Sequence, residues 1–93
     1  MNGAPLQKKV IITNPQGLHM RPIAAFAQMA GRFQSTVTVY FGGQSVNGKS
    51  ILDLMLLGAV QGSELTLEAA GPDAEKALDA LVILLNTPLS EDG

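Results

Sequence analysis

Four short segments of the chain alternate apolar and polar residues or run through β-branched residues, as strands with one buried face do. In the first segment, Val10 and Ile12 fall on the same face. Gly42 and Gly43 separate the second segment from the third, and a Gly-Gly pair in this position predicts a hairpin turn. The predicted strands cover residues 7–13, 35–41, 44–46 and 64–69.

Three other segments place apolar residues at the spacing of one helix face. In the alanine-rich segment 20–32 these residues are Ile23, Phe26, Ala27 and Ala30. A second helix is predicted over residues 50–57, and a third opens at residues 72–75 and ends near Asn86. The order βαββαβα predicts an α+β fold, an open-faced sandwich in which a four-stranded antiparallel sheet carries three helices on one face.

The second predicted helix is apolar on more than one side, so only part of it can face the sheet. Periodicity allows two buried sets, either Ile51, Leu54 and Leu57 or Leu52, Met55 and Leu56. It does not choose between them. Whichever set is not buried leaves an apolar face at the surface, and methionine in such a face suits docking to several partners because it repacks easily.

Composition and charge describe one small domain and exclude several functions. Ninety-three residues with 46% apolar content support one modest core, so residues 1–93 are predicted to form a single domain. A formal charge of −2 supplies no basic field for nucleic acid. Without cysteine and with one histidine, the chain is expected to hold no metal and no cofactor. Because no secretory core or membrane-spanning stretch is visible, we expect a cytoplasmic protein without membrane insertion.

The only histidine lies where a turn-rich loop meets the first predicted helix. Asn14 and Gly17 supply the turn, and Pro22 falls in the first helical turn, where its missing N–H costs little. His19 is therefore predicted near a helix N-terminus, whose N–H groups and macrodipole would stabilise a phosphoryl group on the imidazole. Arg21 adds a charge-assisted donor for the same oxygens. The alternative is that His19 only caps the helix or lies in an exposed loop.

Three stretches of the sequence resemble the HPr family, the histidine-containing phosphocarriers of the bacterial phosphoenolpyruvate-dependent sugar phosphotransferase system. They are Gly17-Leu18-His19-Met20-Arg21-Pro22, Val46-Asn47-Gly48-Lys49-Ser50-Ile51-Leu52-Asp53-Leu54-Met55 and Gly58-Ala59-Val60-Gln61-Gly62-Ser63-Glu64-Leu65. The resemblance implies that enzyme I phosphorylates His19 on Nδ1, with Arg21 as phosphate partner, and that His19 passes the group to a sugar-specific IIA component. It also implies the open-faced sandwich, and a carrier that turns over only with partner enzymes and is not itself an enzyme.

The resemblance also assigns a regulatory site and a partner surface. It places the family's regulatory serine on Ser50, so a serine kinase or phosphatase is a further candidate partner. Ser50 and Asp53 are independently predicted to form a capping box worth ~1 kcal/mol. The family's partner surface maps to Met20, Ala24, Ile51, Leu52 and Met55. We expect a monomer whose partners are enzyme I and the IIA components of sugar permeases.

Electrostatic steering by enzyme I is expected to be weaker than in many family members. Many HPr proteins carry basic residues toward the end of the first helix, whereas only Arg32 remains here. Two other functions stay open. One is a regulatory phosphorelay or binding module of the same fold, not coupled to sugar uptake. The other is a small hydrolase, disfavoured because a second histidine or a cysteine is lacking and the carboxylates cluster in residues 64–79.

Overall fold

The structure is a computed structural model that describes residues 4–87. Its strands are β1 (Leu6–Ile11), β2 (Thr36–Phe41), β3 (Gln44–Asn47) and β4 (Glu64–Ala70), and its helices are α1 (Met20–Ala30), α2 (Ile51–Met55) and α3 (Ala74–Asn86). This order, βαββαβα, confirms the predicted α+β open-faced sandwich. The prediction of one domain over residues 1–93 extends beyond the described residues. None of the helices between residues 4 and 87 is long and apolar enough to cross a membrane.

The four strands form one antiparallel sheet in the order β1-β4-β2-β3. On the central strand β4 burial alternates strictly, with Leu65, Leu67 and Ala69 buried and the residues between them not. Val10 of β1 and Val39 of β2 lie opposite Leu65 and Leu67 in the register and are also buried. A strand period of two thus turns one face of the sheet toward the helices and leaves the other polar.

The helices cover the apolar face through the residues that their spacing predicts. On α1 the buried residues include Ile23, Phe26, Ala27 and Ala30, as expected, and on α3 they are Ala74, Ala77, Leu78 and Leu81. On α2 and just beyond it Leu54 and Leu57 are buried, whereas Ile51 is 40% exposed. The structure therefore selects the set built on Leu54 and Leu57, without Ile51.

Two helices are shorter than their periodicity predicts. After α1 the Arg32 N–H donates to Met29 O, three residues back, so the helix tightens and ends at Ala30. After α2 the N–H groups of Leu56 and Leu57 also reach three residues back, and Gly58 follows with φ of 67°. Leu57 thus enters the core from a turn, which apolar periodicity alone does not distinguish from a helix.

A cluster of hydrogen bonds joins the start of β2 to the start of α3. Asp73 Oδ1 accepts from the Ser35 hydroxyl at 2.6 Å and from the Ser35 N–H at 2.9 Å, and Asp73 Oδ2 accepts from the Gln34 N–H at 2.9 Å. These donors, the Ser35 hydroxyl first, lower the pKa of Asp73 from 3.8 to about 2. Gly71 leaves room for the cluster, because a Cβ there would lie 2.6 Å from Ser35 Oγ.

Candidate functional site

The loop between β1 and α1 is held in place by Gly17. Its N–H donates to Asn14 O at 2.8 Å and closes a turn, and its φ of 75° lies in the left-handed region that favours glycine. A Cβ at Gly17 would lie 2.8 Å from Ala59 O, while the neighbouring Leu18 N–H donates to the same oxygen at 3.0 Å. The loop is therefore packed against the segment that follows α2. This packing fixes the backbone conformation of the two residues before His19.

His19 is the N-cap residue of α1. Its backbone is extended, with φ of −109° and ψ of −171°, and its carbonyl accepts the N–H of Ile23 at 3.0 Å. Its side chain makes no capping hydrogen bond and is half-buried. The imidazole therefore stands at the positive end of an eleven-residue helix without being used to cap it. His19 therefore lies at a helix N-terminus, as predicted. The alternative, in which its side chain only caps the helix, does not agree with the structure.

One ring nitrogen of His19 faces Asn14. Asn14 Nδ2 lies 3.4 Å from His19 Nε2, and Asn14 Oδ1 accepts the Gln16 N–H at 3.1 Å. Among the hydrogen bonds between described residues, His19 Nδ1 takes part in none. The sequence assigned Asn14 only to the turn, because a contact between its amide and the ring five residues later depends on how the loop folds back.

Arg21 and Pro22 complete the first turn of α1. Arg21 is exposed, two residues after His19, and Pro22 is buried. Pro22 has no N–H, the Ile23 N–H bonds to His19 O, and Met20 and Arg21 provide the two backbone amides that precede them in the first turn. The guanidinium and these amides belong to the same end of the helix as the imidazole, as the sequence predicts.

Ser50 is the N-cap of α2, and the predicted capping box forms only in part. Ser50 Oγ accepts the Asp53 N–H at 3.1 Å, which is the expected cap. The Asp53 carboxylate does not return to the Ser50 N–H; it accepts the Asn47 N–H at 3.3 Å, while Ser50 N–H donates to Asn47 O. Aspartate is one methylene shorter than the glutamate typical of the box, and the preceding turn supplies a nearer partner.

The turn before Ser50 is braced on both sides. Asn47 Oδ1 accepts the Lys49 N–H at 2.9 Å, and the half-buried Lys49 donates from Nζ to Phe33 O, beyond the end of α1, at 2.9 Å. Gly48 approaches β2 so closely that a Cβ would lie 2.5 Å from a methyl group of Val37. The N-terminus of α2 is thus held against both α1 and the sheet.

Four of the five predicted partner-binding residues are exposed. Their exposed fractions are 53% for Met20, 40% for Ile51, 73% for Leu52 and 47% for Met55, while Ala24 is half-buried. They lie on α1 and α2, two helices that pack against each other beside His19. Leu56 at 73% and Val60 at 63% extend the exposed apolar residues, although the sequence left Leu56 as a candidate for the core. These seven residues are called the apolar surface below.

Comparison with known proteins agrees with this geometry. A family model described as the PTS HPr component phosphorylation site matches residues 6–87. The phosphocarrier protein HPr of Buchnera aphidicola is 43% identical over 79 residues, which is 85% of this chain and 93% of that protein. HPr of Cupriavidus necator is 43% identical over 86 residues, 92% of this chain and 97% of that protein. The chain belongs to the HPr family. It is a phosphocarrier of the phosphotransferase system.

Solved HPr structures share the fold. The HPr crystal structure from Bacillus anthracis matches with a TM-score of 0.83 at 41% identity, covering 87% of this chain and 96% of that one. A catabolite-repression relative, Crh of Bacillus subtilis, matches with a TM-score of 0.68 at 44% identity, covering 86% of this chain and 92% of that one, and is described as a swapped dimer. Some members of the family are thus dimers, whereas for this chain a monomer stays a prediction.

Proposed function

We propose that His19 accepts a phosphoryl group from phosphorylated enzyme I on Nδ1 and passes it to IIA components of sugar permeases. The observation that carries the proposal is the position of the imidazole, half-buried at the N-terminus of α1 with its side chain free of capping. Nε2 faces Asn14, which leaves Nδ1 as the nitrogen for phosphorus. A dianion there gains from the helix dipole and the first-turn amides.

Arg21 is the proposed partner of the phosphoryl oxygens. It is exposed in the first turn of α1, and a guanidinium offers several donors in a planar fork that suits phosphate. The chain needs no further catalytic group, because phosphoryl transfer depends mainly on positioning and charge stabilisation. It therefore acts as a carrier that turns over only with its partner enzymes and is not an enzyme by itself.

The test is to incubate the chain with phosphoenolpyruvate and an enzyme I, and to add a IIA protein. We expect one acid-labile phosphate per chain, absent from His19→Ala, and its onward transfer to IIA. Arg21→Glu should slow acceptance by about tenfold or more, the scale of one lost charge-assisted hydrogen bond. Lys76→Glu makes the same change from positive to negative charge at an exposed residue of α3 and is the matched control. Label on His19→Ala, or equal slowing by both charge variants, contradicts the assignment.

Enzyme I and the IIA components are proposed to dock on the apolar surface. Met20 of this surface directly follows the half-buried His19 in the chain, so a partner that covers the surface brings its own phosphorylated group close to Nδ1. Because this surface contains two exposed methionines, one patch can fit partners of different shape. We further propose that the chain works as one monomeric domain in the cytoplasm, without nucleic acid, membrane insertion or cofactor.

Ser50 is the proposed site of regulatory phosphorylation by a serine kinase, reversed by a phosphatase. Its Oγ lies at the N-terminus of α2 between Ile51 and the half-buried Lys49, so a phosphate there places negative charge at the edge of the apolar surface. Ser50→Asp keeps a side chain that caps helices, so it should retain the fold while lowering the affinity for enzyme I. Ser50→Asn, an uncharged cap, is the control, and an unchanged transfer rate in Ser50→Asp argues against regulation.

A second candidate is a regulatory phosphorelay or binding module that does not serve sugar uptake. The observation that favours it is the similarity to Crh, which is described as a catabolite-repression protein. Both candidates require phosphorylation of His19 or Ser50, and only the first requires onward transfer. Transfer of phosphate from His19 to a IIA protein therefore selects the carrier, and failure of transfer to every IIA protein of the same organism selects the regulator.

A further inference from the structure

The amide of Asn14 has a defined orientation between its own turn and the His19 ring. The Gln16 N–H donates to Asn14 Oδ1 at 3.1 Å, and a backbone N–H can donate only to the oxygen of an amide. Nδ2 is therefore the atom that meets His19 Nε2, at 3.4 Å. The turn is itself held, because the Gly17 N–H bonds to Asn14 O at 2.8 Å. The loop thus presents an oriented N–H donor to one nitrogen of the ring.

We propose that Asn14 is a positioning residue that decides which nitrogen of His19 carries the proton. An amide nitrogen donates and does not accept, so Nε2 meets Nδ2 as an acceptor with its lone pair. A neutral imidazole has one N–H, which then lies on Nδ1. One net hydrogen bond changes the ratio of the two tautomers by about fivefold, which corresponds to ~1 kcal/mol.

The consequence for the carrier rests on the proposed function. Nδ1 attacks phosphorus through its lone pair in the minor tautomer, which carries its proton on Nε2. As the Nδ1–P bond forms, the donor's bond to phosphorus breaks, and the Nε2 proton passes through solvent to the nitrogen that the donor frees. The phosphorylated ring is then neutral, and the Nε2 lone pair again accepts from Asn14. Acceptance does not need this hydrogen bond, since the attacking tautomer is the one that lacks it. The phosphorylated state does need it, because the hydrogen bond from Asn14 to Nε2 opposes protonation of Nε2.

Protonation of Nε2 is what exposes the phosphoryl group to water. In hydrolysis of the protonated form, a water oxygen bonds to phosphorus and the electron pair of the N–P bond returns to Nδ1. The products are dihydrogen phosphate and a neutral imidazole with its proton on Nε2. From the neutral ring the leaving group is an imidazolate anion, which departs much less readily. Asn14 therefore protects the phosphoryl group between arrival and delivery.

Two variants separate this role from the role of Asn14 in the turn. Asn14→Asp keeps an oxygen for the Gln16 N–H but presents a second oxygen to the ring, which favours a proton on Nε2. Asn14→Ala removes both interactions. Amide spectra of the labelled chains show whether each variant keeps the fold.

The first measurement is the pair of ring ¹⁵N chemical shifts in the unphosphorylated chain, recorded where the imidazole is neutral. We expect the proton mainly on Nδ1 in the parent chain, and a ratio shifted toward Nε2 by about fivefold or more in Asn14→Asp. A parent chain with its proton mainly on Nε2, or one ratio shared by all three chains, overturns the proposal. The parent measurement decides even if both variants unfold.

The second measurement is the release of phosphate from chains labelled with phosphoenolpyruvate and enzyme I, then freed of enzyme I. Near neutral pH, Asn14→Asp should release phosphate about fivefold faster than the parent, with Asn14→Ala between them and acceptance unslowed. Equal release rates overturn the protective role, and so does slowed acceptance with unchanged release. A parent chain that takes no label on His19 contradicts the proposed function instead, while the ring spectra still test the inference.

Discussion

Leu52 and Leu54 lie two residues apart on α2 and face opposite surroundings. Leu54 is 2% exposed and borders the space between the helices and the sheet with Phe26, Val39 and Leu65, whereas Leu52 is 73% exposed. Leu54→Ala removes three buried carbon atoms, worth about 2.4 kcal/mol at ~0.8 kcal/mol each. The cavity left behind brings the expected loss to about 2–5 kcal/mol. Because most of the Leu52 side chain is exposed, Leu52→Ala removes little buried surface and should change the free energy of unfolding by under about 0.5 kcal/mol.

Urea unfolding followed by circular dichroism measures both variants against the parent. With a slope of about 1–2 kcal/mol per molar urea, Leu54→Ala should lower the midpoint by about 1–5 M and Leu52→Ala should leave it nearly unchanged. Phosphoryl transfer from enzyme I gives the complementary result, because loss of Leu52 from the apolar surface should raise the apparent KM in a chain of normal stability. A loss of under 1 kcal/mol for Leu54→Ala, or of over 1 kcal/mol for Leu52→Ala, refutes the assignment of faces on α2.

Three other substitutions test the framework of the site. Gly17→Ala should destabilise the chain by more than Gly42→Ala: both have positive φ, at a cost of about 1–2 kcal/mol, but only at Gly17 does a Cβ meet backbone atoms within 3 Å. Urea midpoints compare the two, and equal losses would mean that the close approach does not matter. The pKa of Asp73 is about 2 in the folded chain and 3.8 in the unfolded reference. The stabilisation that its ionised carboxylate contributes should therefore be present above about pH 4 and be lost as the pH falls toward 2. Ser35→Ala removes the main cause, so unfolding at a series of pH values should show a smaller decline below pH 4; an unchanged slope would contradict this. Lys49→Met removes the Nζ bond to the end of α1 and should cost about 1 kcal/mol, measured by thermal unfolding, whereas an unchanged melting temperature would show that this brace is not stabilising.

Local rules were sufficient for most of the framework. Alternation of apolar residues placed Leu65, Leu67 and Ala69 on one face of a strand, because side chains of a strand point alternately to its two sides. Gly42 and Gly43 turn between β2 and β3 with positive φ, as a Gly-Gly hairpin predicts. The position of His19 at the start of α1 followed from the turn residues before it and Pro22 after it.

Local rules were insufficient where two segments distant in sequence compete for one space. Both apolar sets of α2 satisfy the same helical period, and only the sheet beneath the helix favours Leu54 over Leu52. Asp53 satisfies the sequence rule for a capping box, yet its carboxylate accepts the Asn47 N–H. The Ser50 N–H, which the box would use, already donates to Asn47 O in the preceding turn. The contact of Asn14 with the His19 ring likewise required the folded loop.

The sequence by itself determined the order of strands and helices, the apolar face of each long element and the histidine at a helix start, since these depend on residue type and on neighbours a few positions away. Only the tertiary structure decided the strand order β1-β4-β2-β3, the face of α2 that remains at the surface and the nitrogen of His19 that meets Asn14. These features depend on which distant segments fill the same volume and satisfy the same donors, and that is decided when the whole chain packs.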